Sequence, residues 1–211
     1  MILNEKDIYH NERVTKPVTY LANQASPGSH NTWNALDRDM HRQKRRLIGP
    51  AVNERSMKAF EPVMIEQVNV FLKQIFVNQG QPIDMKSRCN YLGMDIVSLL
   101  SFGFDLQSQT DKKNRFLADN LAIGNRRLNT YMQIPTIAKY RLQRFLNLIL
   151  HRTREKVLRL VETMIKSRMK ESQGTKHDFY SFVADTLKPE ANGNIRVQDL
   201  WMEAILFIVA G

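Results

Sequence analysis

The sequence predicts a mainly α chain, on three observations. Apolar residues recur at three- and four-residue spacing through most of its 211 residues, the period of a helix with one buried face. Nine glycines and seven prolines are few, which fits helices joined by short loops. The segment from Val197 to Gly211 is apolar almost throughout, with Glu203 its only charge from Leu200 onward, and a helix apolar on all sides is a buried helix. At 43% hydrophobic and 25% charged residues, the composition is that of an ordinary globular domain.

Taken in order, Asn4 to Tyr9 can form a helical turn at best, and residues 15–36 form a loop, with Pro17, Pro27, Gly28 and several Ser and Asn. The first strong helix is predicted over 38–48. Asp37 is its candidate N-cap and Pro50 its stop. From Asp37 to Pro50 there are five Lys/Arg against two Asp. His41 and Arg45 are four apart, so their side chains lie one above the other on one face. That pairing suits a carboxylate or phosphate, because Arg can grip a carboxylate with two parallel hydrogen bonds and His adds a donor.

Met57, Phe60, Met64, Val68, Phe71, Leu72 and Ile75 make the next apolar stripe. Pro62 is welcome at a first helical position, so a short piece at 56–60 and a main helix over 62–78 are expected, stopped by Gln79-Gly80-Gln81-Pro82. Asp84 caps a helix over 85–101 with Leu92, Ile96, Leu99 and Leu100 on its inner face. Gly103 just beyond it supplies a left-handed C-cap, and Phe102 plugs the core. Asp111 starts a helix over 112–127 closed by Arg126 and Arg127, with a loop over 129–137 around Ile134-Pro135. A long helical region follows over 138–170, with a candidate break at His151–Lys156, where six polar residues run together. Shorter signals give a helix over 177–187, a turn at 189–194 and the apolar helix over 197–211.

The net charge is +10, with a sequence pI near 9.8. Residues 126–170 alone carry twelve Lys/Arg against two Glu. Such a segment attracts acidic proteins, phospholipid head groups or nucleic acid, or it is the solvated face of a long helix. The single cysteine, Cys89, excludes a disulfide framework and any multi-cysteine metal site. Cys89 lies inside the 85–101 helix on no motif and is expected to be structural. The five histidines show no ligand spacing, and no Gly-rich phosphate loop, His-Glu-x-x-His site or nucleophile elbow is present. The N-terminus turns polar at once, unlike a signal peptide or membrane anchor, and the apolar runs fall short of the ~18 residues of a spanning helix.

The run Asp39-x-His41-x-x-x-Arg45-Arg46-x-x-x-Pro50 resembles helix C of the cytochrome P450 monooxygenases, where an aromatic residue or His, followed four positions later by Arg, holds the haem propionates. Trp is commoner than His at the first position. Other matches occur in family order. Asp7-Ile8-Tyr9 resembles the segment before helix B, and Asp95 to Gly103 resembles the end of helix E. The two basic helices resemble helices F and G, the lid over the active site. Asp178 to Val183 resembles the start of helix H, and Ala210-Gly211 the opening of the oxygen-activating motif of helix I.

The resemblance implies one truncated domain over 1–211: an incomplete cytochrome P450 fold from before helix B to the start of helix I, with the C-terminal haem-thiolate half absent. His41 and Arg45 become haem-propionate ligands, and Trp33, Leu206 and Ala210 candidate walls of the substrate pocket, although a lone Trp such as Trp33 more often simply packs. The cofactor implied is haem b. The parent activity is insertion of one oxygen atom from O2 into a small lipophilic molecule, with electrons from an NADPH-dependent reductase, at the cytoplasmic face of the endoplasmic reticulum membrane. The loop Tyr131 to Ile137 is where membrane-bound members dip into lipid. Nothing around Cys89 resembles the family's Phe-x-x-Gly-x-x-x-Cys ligand loop, so the chain alone is expected to be inactive. The alternative is a basic helical nucleic-acid-binding or interaction module; few interleaved aromatics and no helix-turn-helix signature speak against nucleic acid.

Overall fold

The computed structural model describes residues 16–24, 28–77, 80–134, 142–170, 178–179, 181 and 197–210. Among them are six α-helices, 3-10 helices at Val18–Asn23 and Gly49–Ala51, and no strand. In chain order the helices are α1 (Arg38–Ile48), α2 (Glu54–Val77), α3 (Met85–Phe102), α4 (Phe116–Gln133), α5 (Leu142–Lys170) and α6 (Val197–Ala210). The Asp-Ile-Tyr segment, Pro135 to Ile137, the turn at 189–194 and most of the 177–187 helix lie outside the described residues.

Helix α1 keeps the expected bounds. The Asp37 carboxylate accepts from the Met40 N–H at 2.8 Å, satisfying one of the donors a helix start leaves without an intrahelical partner. Gly49-Pro50-Ala51 then forms a single 3-10 turn that redirects the chain.

Helix α2 corrects the expectation of two pieces. It is continuous from Glu54, and Pro62 lies inside it. Asn53 is the true start signal, its Oδ1 accepting from the Ser56 N–H at 2.9 Å. Proline deprives the carbonyl four residues back, that of Lys58, of its usual donor. Lys58 and Pro62 both face solvent, so water can meet that carbonyl. Phe60 is buried and Phe71 and Ile75 half-buried, whereas Met64, Val68, Leu72 and Phe76 stand exposed along the outer face.

Helix α3 ends as its sequence indicates. Gly103 adopts φ 58°, its N–H reaches the Leu99 carbonyl at 2.8 Å, and the Phe104 N–H reaches that of Ser98 at 3.4 Å. This left-handed close is open to glycine at little cost. Asp95, on the inner face of α3, accepts from the N–H groups of Ser108 at 2.7 Å and Gln109 at 3.1 Å and so moors the 104–111 loop. Burial raises its pKa above the usual carboxylate value, against those hydrogen bonds.

Helix α4 is displaced along the sequence from the expected 112–127. Residues 111–115 form turns, with the Lys113 N–H on the Asp111 carboxylate at 3.0 Å, so the helix begins at Phe116. It runs on to Gln133 because no breaker intervenes before Pro135, which disfavours helix only at its preceding residue, Ile134. Tyr131 to Gln133 are therefore the last helical turn, not a loop. Helix α5 is unbroken through His151–Lys156. That run contains neither Gly nor Pro, and its polar residues are compatible with a helix.

The main core gathers Phe102 from α3, Leu106, Leu117 from α4, Val161, Met164 and Ile165 from α5, and Ala204 and Ile208 from α6. A second cluster joins Leu47, Ile48 and Ala51 to Phe179, with Phe207 of α6 packed against it. The Phe179 and Phe207 rings sit 4.4 Å apart. Helix α6 thus runs between both clusters, as its apolar sequence requires. Of its two acidic residues, Asp199 and Glu203, the second lies in the interior at 0% exposure.

Candidate functional site

The register of α1 places His41 half-buried and Arg45 exposed on one face, while Lys44, a quarter-turn away, is buried. Facing α1 is the turn Asn31–Asn34. It is self-locked: the Asn31 N–H donates to Asn34 Oδ1 at 2.8 Å and the Asn34 N–H to Asn31 Oδ1 at 2.9 Å. This is the local side-chain bonding at which Asn excels in turns.

Two charged residues hold that turn. From α6, Glu203 takes the Thr32 N–H on both oxygens, at 2.8 and 3.1 Å, and it pairs with Lys44 Nζ at 3.5 Å. From the chain start, Lys16 Nζ donates to the carbonyls of Thr32 at 3.1 Å and Trp33 at 2.8 Å. Three buried polar atoms in this stretch, His30 Nδ1, Thr32 Oγ1 and Asn34 Nδ2, meet no protein partner. Buried polar atoms are nearly always satisfied, so a polar ligand group suits this wall.

Burial and neighbouring charges shift three groups here. His41 falls to about 4, first through burial and then through the charges of Lys16 and Arg45. Lys16 falls to about 8 through burial and Arg45, opposed by Glu203. Glu203 is pushed up by burial, against the Thr32 N–H and Lys44. Burial and the charges of Lys16 and Arg45 thus keep His41 neutral near pH 7, while Glu203 acts as a counter-charge to Lys16.

The His41 shift gives a testable pH dependence. In the unfolded chain His41 takes its proton near 6.5, and in the fold only near 4. The unfolded state then binds more protons between those values, so stability is full above pH 6.5 and declines as pH falls through 4. Urea midpoints measured on the ligand-free chain should fall across that window, and His41→Phe should flatten the fall. An equal slope in the variant would contradict it.

The structure brings His41 and Arg45 together with Lys16, Lys44 and Glu203, none of which the sequence assigned to a site. Glu203 carried a signal, being the lone charge in the apolar run from Leu200 onward and so in need of a partner; Lys16 carried none. Trp33 is half-buried and packs on Tyr20, ring centroids 4.5 Å apart, and its carbonyl, not its ring, joins the site. Leu206, three positions after Glu203 on α6, is half-buried; the Ala210 side chain lies outside the described residues. Cys89, expected to be structural, is exposed on α3. Among the described residues no group of His, Cys, Asp or Glu could hold a metal ion, and no helix is long and apolar enough to cross a membrane.

The basic segment spends part of its charge within the fold. Lys166 pairs with Glu162 at 2.6 Å and Arg159 with Glu155 at 3.4 Å along exposed α5. Arg168 is buried against Asp178 and donates to Ser181 Oγ at 2.7 Å. Three of the segment's cations are thus held by acidic partners within the fold.

Lys16, His41, Lys44 and Arg45 thus gather around a turn that is tied to α6. Comparison makes the class definite: the cytochrome P450 family model matches residues 1–211. The chain is 26% identical over 192 residues to cytochrome P450 monooxygenase poxM of Penicillium oxalicum, covering 86% of this chain and 37% of that one. It is 21% identical over 209 residues to apf7 of Gibberella fujikuroi, 88% of this chain and 39% of that one. With ataY of Aspergillus terreus it shares 25% over 188 residues, 86% and 81% of the two chains. The chain belongs to the cytochrome P450 family, whose members in general carry haem and draw on reductases as redox partners. It spans about two-fifths of the length of the first two relatives.

Proposed function

We propose that this chain forms the propionate-binding side of a haem-thiolate monooxygenase acting on a small lipophilic substrate. The observation that carries the reading is the His41–Arg45 pair on one face of α1, with the charge of Lys16 acting on both. Arg45 would grip one haem carboxylate through its guanidinium and His41 would donate a further hydrogen bond. The polar wall at Thr32 and Asn34 fits the same carboxylate end. When bound, the haem iron supplies the oxygen chemistry. The residues here bind and orient it, and α6 excludes water with its apolar length. Leu206 and Ala210 of α6 are the residues we assign to the substrate side, with Trp33 bracing the loop. For the whole protein the same reading includes an NADPH-dependent reductase and the cytoplasmic face of the endoplasmic reticulum, with peripheral contact through Tyr131 to Ile137.

Haem release into excess apomyoglobin tests the pair. Arg45→Ala should speed release by roughly tenfold and His41→Ala by less, as for charge-assisted hydrogen bonds at a partly exposed site. Release rates equal to wild type in both variants would remove the assignment. Cys89→Ser should leave the Soret band unchanged, because Cys89 is exposed on α3 and lies in no ligand-loop motif.

A further inference from the structure

Helix α2 turns one side inward and leaves an apolar side in solvent. On the inner side Phe60 is buried, and Gln67 Oε1 accepts from Gln109 Nε2 of the 104–111 loop at 3.0 Å. Away from that side, Met64, Val68, Leu72 and Phe76 follow one another at four-residue spacing. They form a single ridge about 18 Å long. Ile65 borders the ridge and Val77 ends it, and exposure runs from 38% at Met64 to 82% at Val77. Among the described residues, six of the eleven large hydrophobics that stand exposed are therefore on this one helix. Scattered single residues would need no explanation, but a contiguous patch marks a contact surface.

Charge selects the occupant. The chain carries +10, yet α2 is neutral, with Glu54, Glu61 and Glu66 against Arg55, Lys58 and Lys73. An anionic lipid surface or a nucleic acid is drawn to the basic helices α1 and α5 instead. Two copies of one basic chain repel least where each presents a neutral, apolar face. The open apolar surface is roughly 500 Å², more than half of the ~800 Å² that each partner brings to a standard interface. The order of the charges sets the orientation. Glu66 and Lys73 are both exposed and lie two turns apart on one flank of the ridge. Side by side in parallel, two copies would set Glu66 against Glu66 and Lys73 against Lys73. In an antiparallel pair centred between Val68 and Leu72, Val68 lies opposite Leu72 of the second copy and Met64 opposite Phe76. Glu66 then comes within reach of Lys73, twice by symmetry. We propose that two copies of this chain pair antiparallel through the Met64–Phe76 ridge of α2, flanked by reciprocal Glu66–Lys73 ion pairs. The pairing is independent of the haem reading.

The test is sedimentation equilibrium of the full 211-residue chain over roughly 1–200 μM. The wild type should shift from a mass of 24.6 kDa toward twice that value, with a dissociation constant on the order of 10 μM. Leu72→Asp buries two carboxylates in the seam and should weaken pairing by roughly a hundredfold. Leu72 is an exposed residue, so the helical circular dichroism and melting temperature of that variant should stay near wild type. Glu66→Lys and Lys73→Glu should each weaken pairing about tenfold, because each sets like charges together at two symmetric places. The double variant Glu66→Lys/Lys73→Glu should restore wild-type affinity, which a merely sticky patch would not do. These two substitutions lie on the surface, so they keep the test valid should Leu72→Asp lose its fold. A wild type that stays monomeric at the highest concentration would overturn the proposal. So would pairing that survives Leu72→Asp in a folded chain, open-ended association in place of a closed pair, or a double variant no tighter than the single ones. A monomeric wild type that floats with neutral phosphatidylcholine vesicles, and no longer does so as Leu72→Asp, would give the ridge to a lipid surface and likewise overturn it.

Discussion

Replacing Glu203 by alanine should cost about 3–5 kcal/mol of folding stability, the range for removing one partner of a buried ion pair. Glu203 is 0% exposed and Lys44 is 6% exposed. Without the carboxylate, the Lys44 ammonium stays buried near α6 and the Thr32 N–H loses both its acceptors, at 2.8 and 3.1 Å. An unsatisfied buried donor alone costs about 1–3 kcal/mol. The loss is also more than local, because Glu203 joins α6, α1 and the 31–34 turn. For a chain of this size the melting temperature should drop by roughly 6–20 °C. Glu203→Gln should be milder, since one amide oxygen still accepts from Thr32. A calorimetric scan in which Glu203→Ala melts within a degree or two of wild type would contradict the account of this anchor.

Arg168→Ala should be of the same order, about 3–5 kcal/mol. Arg168 is 2% exposed and Asp178 1%. The guanidinium bonds Asp178 through Nε and Nη2, and it bonds Ser181 Oγ at 2.7 Å. Its removal strands a buried carboxylate that keeps only short-range partners, such as the Ser181 N–H at 2.8 Å. Arg168→Lys should recover little, because a point charge on a flexible stem cannot reproduce the fork. Asp178→Asn should be less severe than Arg168→Ala, since an amide oxygen still meets the guanidinium. Denaturant midpoints that leave Arg168→Ala unchanged would show that Phe179 packs without this pair.

The helices most legible in the sequence were those whose ends carry local chemistry. Asp37 and Asp84 announced two starts and Gly103 a stop, and each is where the fold uses it. Pro62 misled because it is acceptable both at a first position and on an exposed helical face; only Asn53, capping nine residues earlier, separates the two. The end of α4 was missed because Arg126 and Arg127 looked like a terminal turn, although nothing stopped the helix before Pro135. At the site, the His41–Arg45 pair was legible because helical spacing alone aligns positions four apart. Its supports were not. Glu203 and Thr32 are 171 positions apart, and no local pattern reports such a contact. Lys16 in a loop reads like any solvated lysine until the Thr32 and Trp33 carbonyls are seen to hold it.

The measurement that bears most directly on the carboxylate site of α1 is the ratio of haem to haem dimethyl ester affinity at pH 7, in wild type and in the double variant His41→Ala/Arg45→Ala. Loss of two charge-assisted contacts should collapse a wild-type preference of roughly ten- to a hundredfold toward unity, with the ester bound equally by both proteins. Equal affinity of the wild-type chain for haem and its ester, or a preference that survives the double substitution, would contradict a propionate-binding role for this helix.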